Sequence, residues 1–346
     1  MSRVIVFLGG YINYTNAQNL NCRALSEYLD KDKFSVLTLT THFGENEDFE
    51  ANTFNCFRPF SFSKHLGFLW GILNCDVAYL PKHVDTSLWV LKLAKLLKKP
   101  IFTTIEGNVT DFSHEHCLPK LFGSIERMEK HFSYFDKIYA ISKHLINQTS
   151  ITLKLEEKPL SLGVDTSHFT PFISKELKSI VFIGSWIKRK GVDEIIKLAT
   201  CYPNIKFNII GSCSEINKFK NNIHSNIIFQ GRLSHYNINL VLKNSDLLFV
   251  PSKSEGFPKV ILEAASAGVP SIVYNTYGAY NWIKHRKNGF IVNDFNEVKC
   301  IVNELLSDSE LLQCISENTK GLANDYRWEI IIKDWEKIIL NLFNEK

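Results

Sequence analysis

Apolar positions along the chain fall into two recurring patterns. The first is a short, unbroken apolar run bounded by Gly, Pro or polar residues, as in Val4-Ile5-Val6-Phe7-Leu8. Similar runs cover 34–39, 76–80, 100–105, 136–142, 179–184, 207–212, 227–233, 246–250, 270–274 and 287–292. Runs of this kind suit strands buried on both faces of a parallel sheet. The second pattern is apolar spacing of three and four, which predicts helices over 16–29, 86–97, 143–150 and 193–200 and a long C-terminal helix. That last helix carries Trp328, Ile331, Ile332, Trp335, Ile338, Ile339 and Leu342 on one stripe. Strand and helix alternate throughout, which predicts an α/β protein with doubly wound sheets.

One unit organises the rest. Asp246-Leu247-Leu248-Phe249-Val250-Pro251 reads as a buried strand and Pro270-Ser271-Ile272-Val273-Tyr274 as another. Between them Val260, Ile261, Ala264, Ala265 and Ala267 have helical spacing, and Gly268 stands where a C-cap glycine would. The loop Ser254-Glu255-Gly256-Phe257-Pro258 opens that helix. Gly256 permits close backbone approach, Pro258 suits the first helical turn, and the amides of a helix N-terminus suit an anion. Glu255 and Glu263 add carboxylates able to accept hydrogen bonds from vicinal sugar hydroxyls. A phosphate-cradling loop with two such acids describes a nucleotide-sugar site. A capped core helix with two solvated glutamates is the plainer alternative.

The chain has 346 residues, enough for two ordinary domains. Its composition, 45% hydrophobic and 22% charged, is that of a soluble globular protein. A net charge of +4 gives no argument for nucleic acid but permits an acidic ligand or an anionic membrane surface. The eight cysteines show no C-x-x-C or other metal-ligand spacing and read as reduced, mostly buried thiols of a cytosolic protein. The apolar start is too short for a signal-peptide core, and no run reaches the length of a membrane span.

Other candidate chemistry sits at strand ends. Gly9 and Gly10 follow the first strand as a glycine loop without the full G-x-G-x-x-G; a tight turn alone is the alternative. Glu106 is delivered to the end of the strand over 100–105, where ligands bind in open α/β sheets, although a surface loop glutamate would look the same. Lys188, Arg189 and Lys190 stand at a strand-to-helix junction and suit a diphosphate, the alternative being a solvated basic turn. From Phe54 to Trp70 five phenylalanines and a tryptophan are interleaved with Arg58, Lys64 and His65. This suits either a membrane interface or an ordinary helix and loop packing its aromatics inward.

The string from Glu255-Gly256-Phe257-Pro258 through Glu263-Ala264, followed by Ala267-Gly268-Val269-Pro270, resembles the E-x7-E signature of glycosyltransferase family 4, of GT-B fold. Gly163-Val164-Asp165 with Phe169 is similar to that family's interdomain G-V-D-x-x-x-F, and Asn288-Gly289-Phe290 to its N-G-F strand. The resemblance covers nearly the whole chain and is weaker before residue 150. It implies two Rossmann-like domains facing a cleft, 1–160 on the acceptor side and 179–324 binding the nucleotide sugar. A linker over 161–178 joins them, and a helix over 325–346 packs back on the first domain.

Residue by residue, the resemblance places Lys190 at the lysine of G-R-x-x-x-x-K-G, which stabilises the departing diphosphate. Ser185 holds the arginine position, and Lys188 or Arg189 is available to substitute. Gly9 and Gly10 correspond to a loop near the acceptor and the donor phosphates. Glu106 holds the place of a histidine that contacts the donor sugar in many relatives, so it is assigned either a sugar hydroxyl or a positive group of the acceptor. Gly211, Gly231 and Arg232 mark turns where relatives hold the base, Arg232 being equally readable as a solvated side chain. Asn281 takes a position that is often acidic.

The activity so implied is transfer of a sugar, with retained anomeric configuration, from a UDP-sugar or GDP-sugar to a hydroxyl of a glycan or lipid-linked acceptor. No cofactor and no metal are implied, and the departing phosphate is expected to take the acceptor proton. Surface polysaccharide or lipopolysaccharide synthesis is the expected setting, in the cytoplasm with peripheral contact to the inner membrane surface. The alternatives are a GT-B sugar-nucleotide epimerase or phosphorylase, or an inactive nucleotide-sugar-binding protein.

Overall fold

The computed structural model describes residues 3–14, 16–45, 48–107, 109, 117–149, 153–167, 169, 171–185, 190–211, 224–257 and 259–345. The chain divides into two compact units, residues 1–162 together with 328–346, and residues 163–327. Each is built on a six-stranded sheet whose strand pairs are all parallel. The doubly wound α/β reading is borne out.

The first unit runs β1 (Val4–Tyr11), α1 (Ala17–Tyr28), β2 (Phe34–Thr41), β3 (Asn52–Cys56), α2 (Phe60–Asn74), β4 (Val77–Tyr79) and α3 (Leu88–Leu96). It continues with β5 (Ile101–Ile105), α4 (Leu118–Phe122), α5 (Ile125–Phe132), β6 (Lys137–Ala140) and α6 (Lys143–Thr149). The second unit runs β7 (Ser179–Ile183), α7 (Val192–Cys201), β8 (Lys206–Ile210), β9 (Ile227–Gly231), α8 (His235–Leu242), β10 (Leu247–Val250) and α9 (Lys259–Ser266). After these come β11 (Ser271–Tyr274), β12 (Phe290–Val292), α10 (Phe295–Ser307) and α11 (Ser309–Asp325). The last helix, α12 (Trp328–Asn344), belongs to the first unit.

The strand orders are β3-β2-β1-β4-β5-β6 and β12-β11-β10-β7-β8-β9. In each sheet the winding starts in the middle, moves to one edge, then returns to wind toward the other. The order therefore reverses between β1 and β4 in one unit and between β7 and β10 in the other. Ligands of open α/β sheets bind beyond the strand C-termini at such a reversal.

The opposite, N-terminal ends of these strands are fastened by one repeated device. An aspartate just before a strand accepts a backbone amide from the neighbouring strand. Asp76 accepts from Ile5 N at 3.0 Å, Asp136 from Ile101 N at 2.8 Å and Asp246 from Ser179 N at 2.9 Å. Each thus satisfies a donor that the ladder leaves open.

Three features differ from the sequence expectations. β3 begins two residues before the aromatic segment read as helix and loop and runs into it as far as Cys56. It is an edge strand reading Asn-Thr-Phe-Asn-Cys, too polar to announce itself as an apolar run. Gly9 and Gly10 lie inside β1 rather than in a loop beyond it, where the pairing register shifts between Leu8 and Tyr11. Any side chain there meets neighbours: a Cβ on Gly9 would stand 2.8 Å from Leu80 and one on Gly10 2.6 Å from the Cys22 sulfur. The cysteines divide evenly enough to blunt the buried-thiol reading, since Cys22, Cys56, Cys75 and Cys117 are buried while Cys201, Cys300 and Cys314 are exposed.

The aromatic segment packs mainly inward. Phe68 is fully buried, and Phe54, Phe60 and Trp70 rest against the first unit's core. Phe57 and Phe62 are left exposed.

In α12 the stripe read from the sequence buries Trp328, Ile331, Ile332, Trp335, Ile339 and Leu342. Trp335 meets Tyr79 edge-on at 5.0 Å between centroids, and its indole N–H donates to Ser161 O at 3.0 Å. Trp335→Ala should cost the first unit about 4 kcal/mol, the usual loss for an emptied tryptophan site. Urea denaturation, with amide exchange accelerated in β1 and β4 before β7 and β10, checks this.

Candidate functional site

The second unit's reversal point brings two of the expected residues into contact. β7 ends at Ile183, and the chain returns at Lys190 and Gly191, immediately before α7. Gly191 has φ +70°, and a Cβ built on it would lie 2.4 Å from the carbonyl oxygen of Pro251, just past β10. Only glycine lets these two backbones approach so closely. The approach sets Lys190 opposite the loop after β10, where its ammonium donates to the Glu255 carboxylate. The pair is largely withdrawn from solvent, with 18% of the Lys190 side chain and 8% of the Glu255 side chain exposed. Its attraction is correspondingly less screened than that of a surface pair.

Glu263 lies on α9 and is 8% exposed, a low value for a carboxylate. Gly268 terminates this helix in the left-handed conformation, φ +77°, as a C-cap glycine does. Phe257 packs edge-on against Trp282 at 5.3 Å and at a tilt against Tyr326 at 5.4 Å, which anchors the loop that carries Glu255 and Gly256.

The third layer comes from the turn after β11. Thr276 donates to Ser252 O at 3.2 Å, tying this turn to the Glu255 loop. Tyr277 is 1% exposed, and its hydroxyl makes no hydrogen bond among the described residues. Burial, and then the nearby Glu255 carboxylate, push its pKa far above the ordinary tyrosine range, so it stays a neutral donor. Nothing in the sequence singled out Tyr277: its role comes from the turn that folds it behind Glu255. On the other flank, Tyr274 of β11 donates to Glu194 of α7.

The remaining expected residues are more dispersed. Gly231 ends β9 with φ +67°, and its carbonyl accepts from Gly211 N at 2.8 Å. These turns after β8 and β9 therefore sit side by side, with Arg232 exposed beyond them. Ser185 is exposed just past β7. Asn281 is exposed, and its side-chain amide donates to Gly278 O. Pro258, Lys188 and Arg189 lie outside the described residues. In the first unit, Glu106 directly follows β5 and accepts from the Asn21 side-chain amide at 3.0 Å, while Gly9 and Gly10 are buried in β1.

Chemically, the second unit offers a partly desolvated lysine and carboxylate at a strand reversal, a second buried carboxylate on the following helix, and a neutral phenol behind them.

Residues 164–322, nearly all of the second unit, match the model of the family described as "Glycosyl transferases group 1". An Escherichia coli UDP-Gal:alpha-D-GlcNAc-diphosphoundecaprenol alpha-1,3-galactosyltransferase is 32% identical over 201 residues, covering 51% of this chain and 51% of that protein. The chain spans about half the length of the curated relatives it matches. Among solved structures, a sucrose-phosphate synthase from Thermosynechococcus elongatus has TM-score 0.84 at 15% identity, covering 99% of this chain and 100% of the other. Anabaena HepE in complex with UDP and glucose has TM-score 0.79 at 15% identity, covering 98% and 100%. The fold of the chain is GT-B.

The Lys190–Glu255 pair has a measurable signature. Lys190→Met leaves the more buried partner without its cation and should destabilise the second unit by about 3 kcal/mol. Glu255→Gln, which strands the more exposed ammonium, should cost less. The double variant should recover much of the loss, giving a non-zero coupling energy in a urea double-mutant cycle.

Proposed function

We propose that the chain is a retaining glycosyltransferase that moves a sugar from a nucleoside diphosphate sugar to a hydroxyl of a glycan or lipid-linked acceptor. The observation that carries this reading is the contact of Lys190 with Glu255 at the β7–β10 reversal. It joins the residue suited to a diphosphate to the residue suited to sugar hydroxyls. The matched family and the names of the relatives support the same reaction class.

In this reading the donor diphosphate takes the Lys190 ammonium from Glu255. The freed carboxylate then accepts hydrogen bonds from the sugar, so donor binding exchanges one ion pair for another. The ammonium is already held in place, and little reorganisation is needed as charge develops on the leaving phosphate. Glu263, nearly buried on α9, accepts from hydroxyls of the donor. The departing phosphate takes the acceptor proton, and no metal is required. Surface polysaccharide or lipopolysaccharide synthesis fits the relatives' names.

A thermal-shift panel with UDP, GDP and ADP and their sugars tests the donor site. One of the three should stabilise the protein by about 2.7 kcal/mol at a hundred times its dissociation constant. The shift should vanish in Glu263→Ala, and the product formed from the corresponding α-linked donor should show an α-anomeric proton by NMR. Silence from all three nucleotides would end the reading.

Peripheral contact with an anionic membrane face is part of the proposal. Among the described residues no helix is long and apolar enough to cross a membrane. Phe57 and Phe62, 46% and 57% exposed, leave apolar surface beside Arg58 and Lys64. Flotation with phosphatidylglycerol vesicles should carry the protein upward, and Phe57→Ser with Phe62→Ser should leave it at the bottom of the gradient.

A further inference from the structure

The first unit has its own strand reversal, between β1 and β4, and a lysine stands at it. Lys82 lies three residues past β4 and is only 9% exposed. Among the described residues its ammonium makes no hydrogen bond or ion pair. A lysine this buried is almost always paired.

The loop that carries it is tightly held. Pro81 O accepts from the Gln18 side chain at 2.9 Å, and Lys82 O accepts from both the amide and the hydroxyl of Thr86 at 2.8 Å. Asp85, the nearest carboxylate in sequence, is engaged by Lys64 at 3.1 Å. Glu106, past the neighbouring strand β5, accepts from Asn21. Burial, outweighing Asp85, Cys22 and Glu106, holds the Lys82 pKa below the ordinary lysine value. At the end of β1, across the same reversal, the hydroxyl of Tyr11 is also buried without a hydrogen bond among the described residues.

We propose that Lys82 recognises an anionic oxygen group, phosphate or carboxylate, borne by the acceptor. The inference rests on the glycosyltransferase reading for the word acceptor. The site itself follows from a hydrogen-bonded loop that presents, at a strand reversal, a buried cation with no partner among the described residues.

The test uses sulfate, which stays a dianion through the neutral and alkaline range, titrated calorimetrically into the full chain. Wild type should bind it, and a Lys82-dependent component of that binding should remain in Lys190→Met. Lys82→Met should bind at least about tenfold more weakly, the loss expected for one charge-assisted contact, and Lys82→Arg should retain binding. The melting temperature of Lys82→Met should be unchanged or higher, since a desolvated charge without a partner is removed. Methyl phosphate and acetate, titrated in the same way, sort the two sources of the group by which binds more tightly.

No sulfate binding in the wild type, loss only in Lys190→Met, or a marked fall in the melting temperature of Lys82→Met would each overturn the proposal. Failure of the nucleotide panel with sulfate still bound through Lys82 would instead remove the donor reading and leave this site standing.

Discussion

The chemistry of this chain depends on the reversal of strand order in its two parallel sheets. Where β10 returns beside β7, the loops after both strands are forced together. The closest approach is backbone on backbone, Gly191 against the Pro251 carbonyl. Everything of interest in the second unit follows from that contact. It fixes Lys190 opposite Glu255, and the turn after β11 closes behind them through Thr276 and Tyr277. The N-terminal ends of the same strands carry no such chemistry. They are fastened by Asp246 onto the Ser179 amide, as Asp76 fastens β4 to Ile5 in the other sheet. The sheet is thus stapled at one end and functional at the other.

Much of this was legible from residue order. Continuous apolar runs announced the strands, because a strand covered on both faces has no polar side to interrupt it. The helix over Lys259–Ser266 announced itself through its spacing and its terminal glycine. The exceptions share a physical cause. β3 is an edge strand that buries little, so its residues are polar and its period is faint. Gly9 and Gly10 look like a loop because glycine permits one, yet here they serve packing, with Leu80, Phe68 and Cys22 occupying the space a side chain would need. Composition identifies what a glycine allows, while only its neighbours decide which use is made of it.

The site was legible to a different degree. Glu255 and Lys190 were found separately, one as a loop acid before a helix and the other as a basic residue at a junction. That they touch depends on the strand order, which brings β7 and β10 together across 65 positions of sequence. Tyr277 had no sequence signal, since a tyrosine after a strand is ordinary core until a carboxylate is placed beside it. Lys82 was invisible for the same reason: its distinguishing property is burial without a partner among the described residues, which no local pattern encodes.

The two lysines make the argument about cost. Both are drawn out of water at a strand reversal, and withdrawal of an ammonium is unfavourable in either case. At Lys190 the cost is offset by Glu255, and the pair contributes to holding the second unit's loops. At Lys82 the described residues offer no such offset: Asp85 is turned toward Lys64 and Glu106 toward Asn21. The surrounding loop is nevertheless well ordered by hydrogen bonds, so loose packing does not account for the exposure of Lys82 to so low a dielectric. The backbone here is well satisfied, while the Lys82 ammonium is unmatched among the described residues. A desolvated charge stays unfavourable until it is paired, and for a cation the pairing group is an anion.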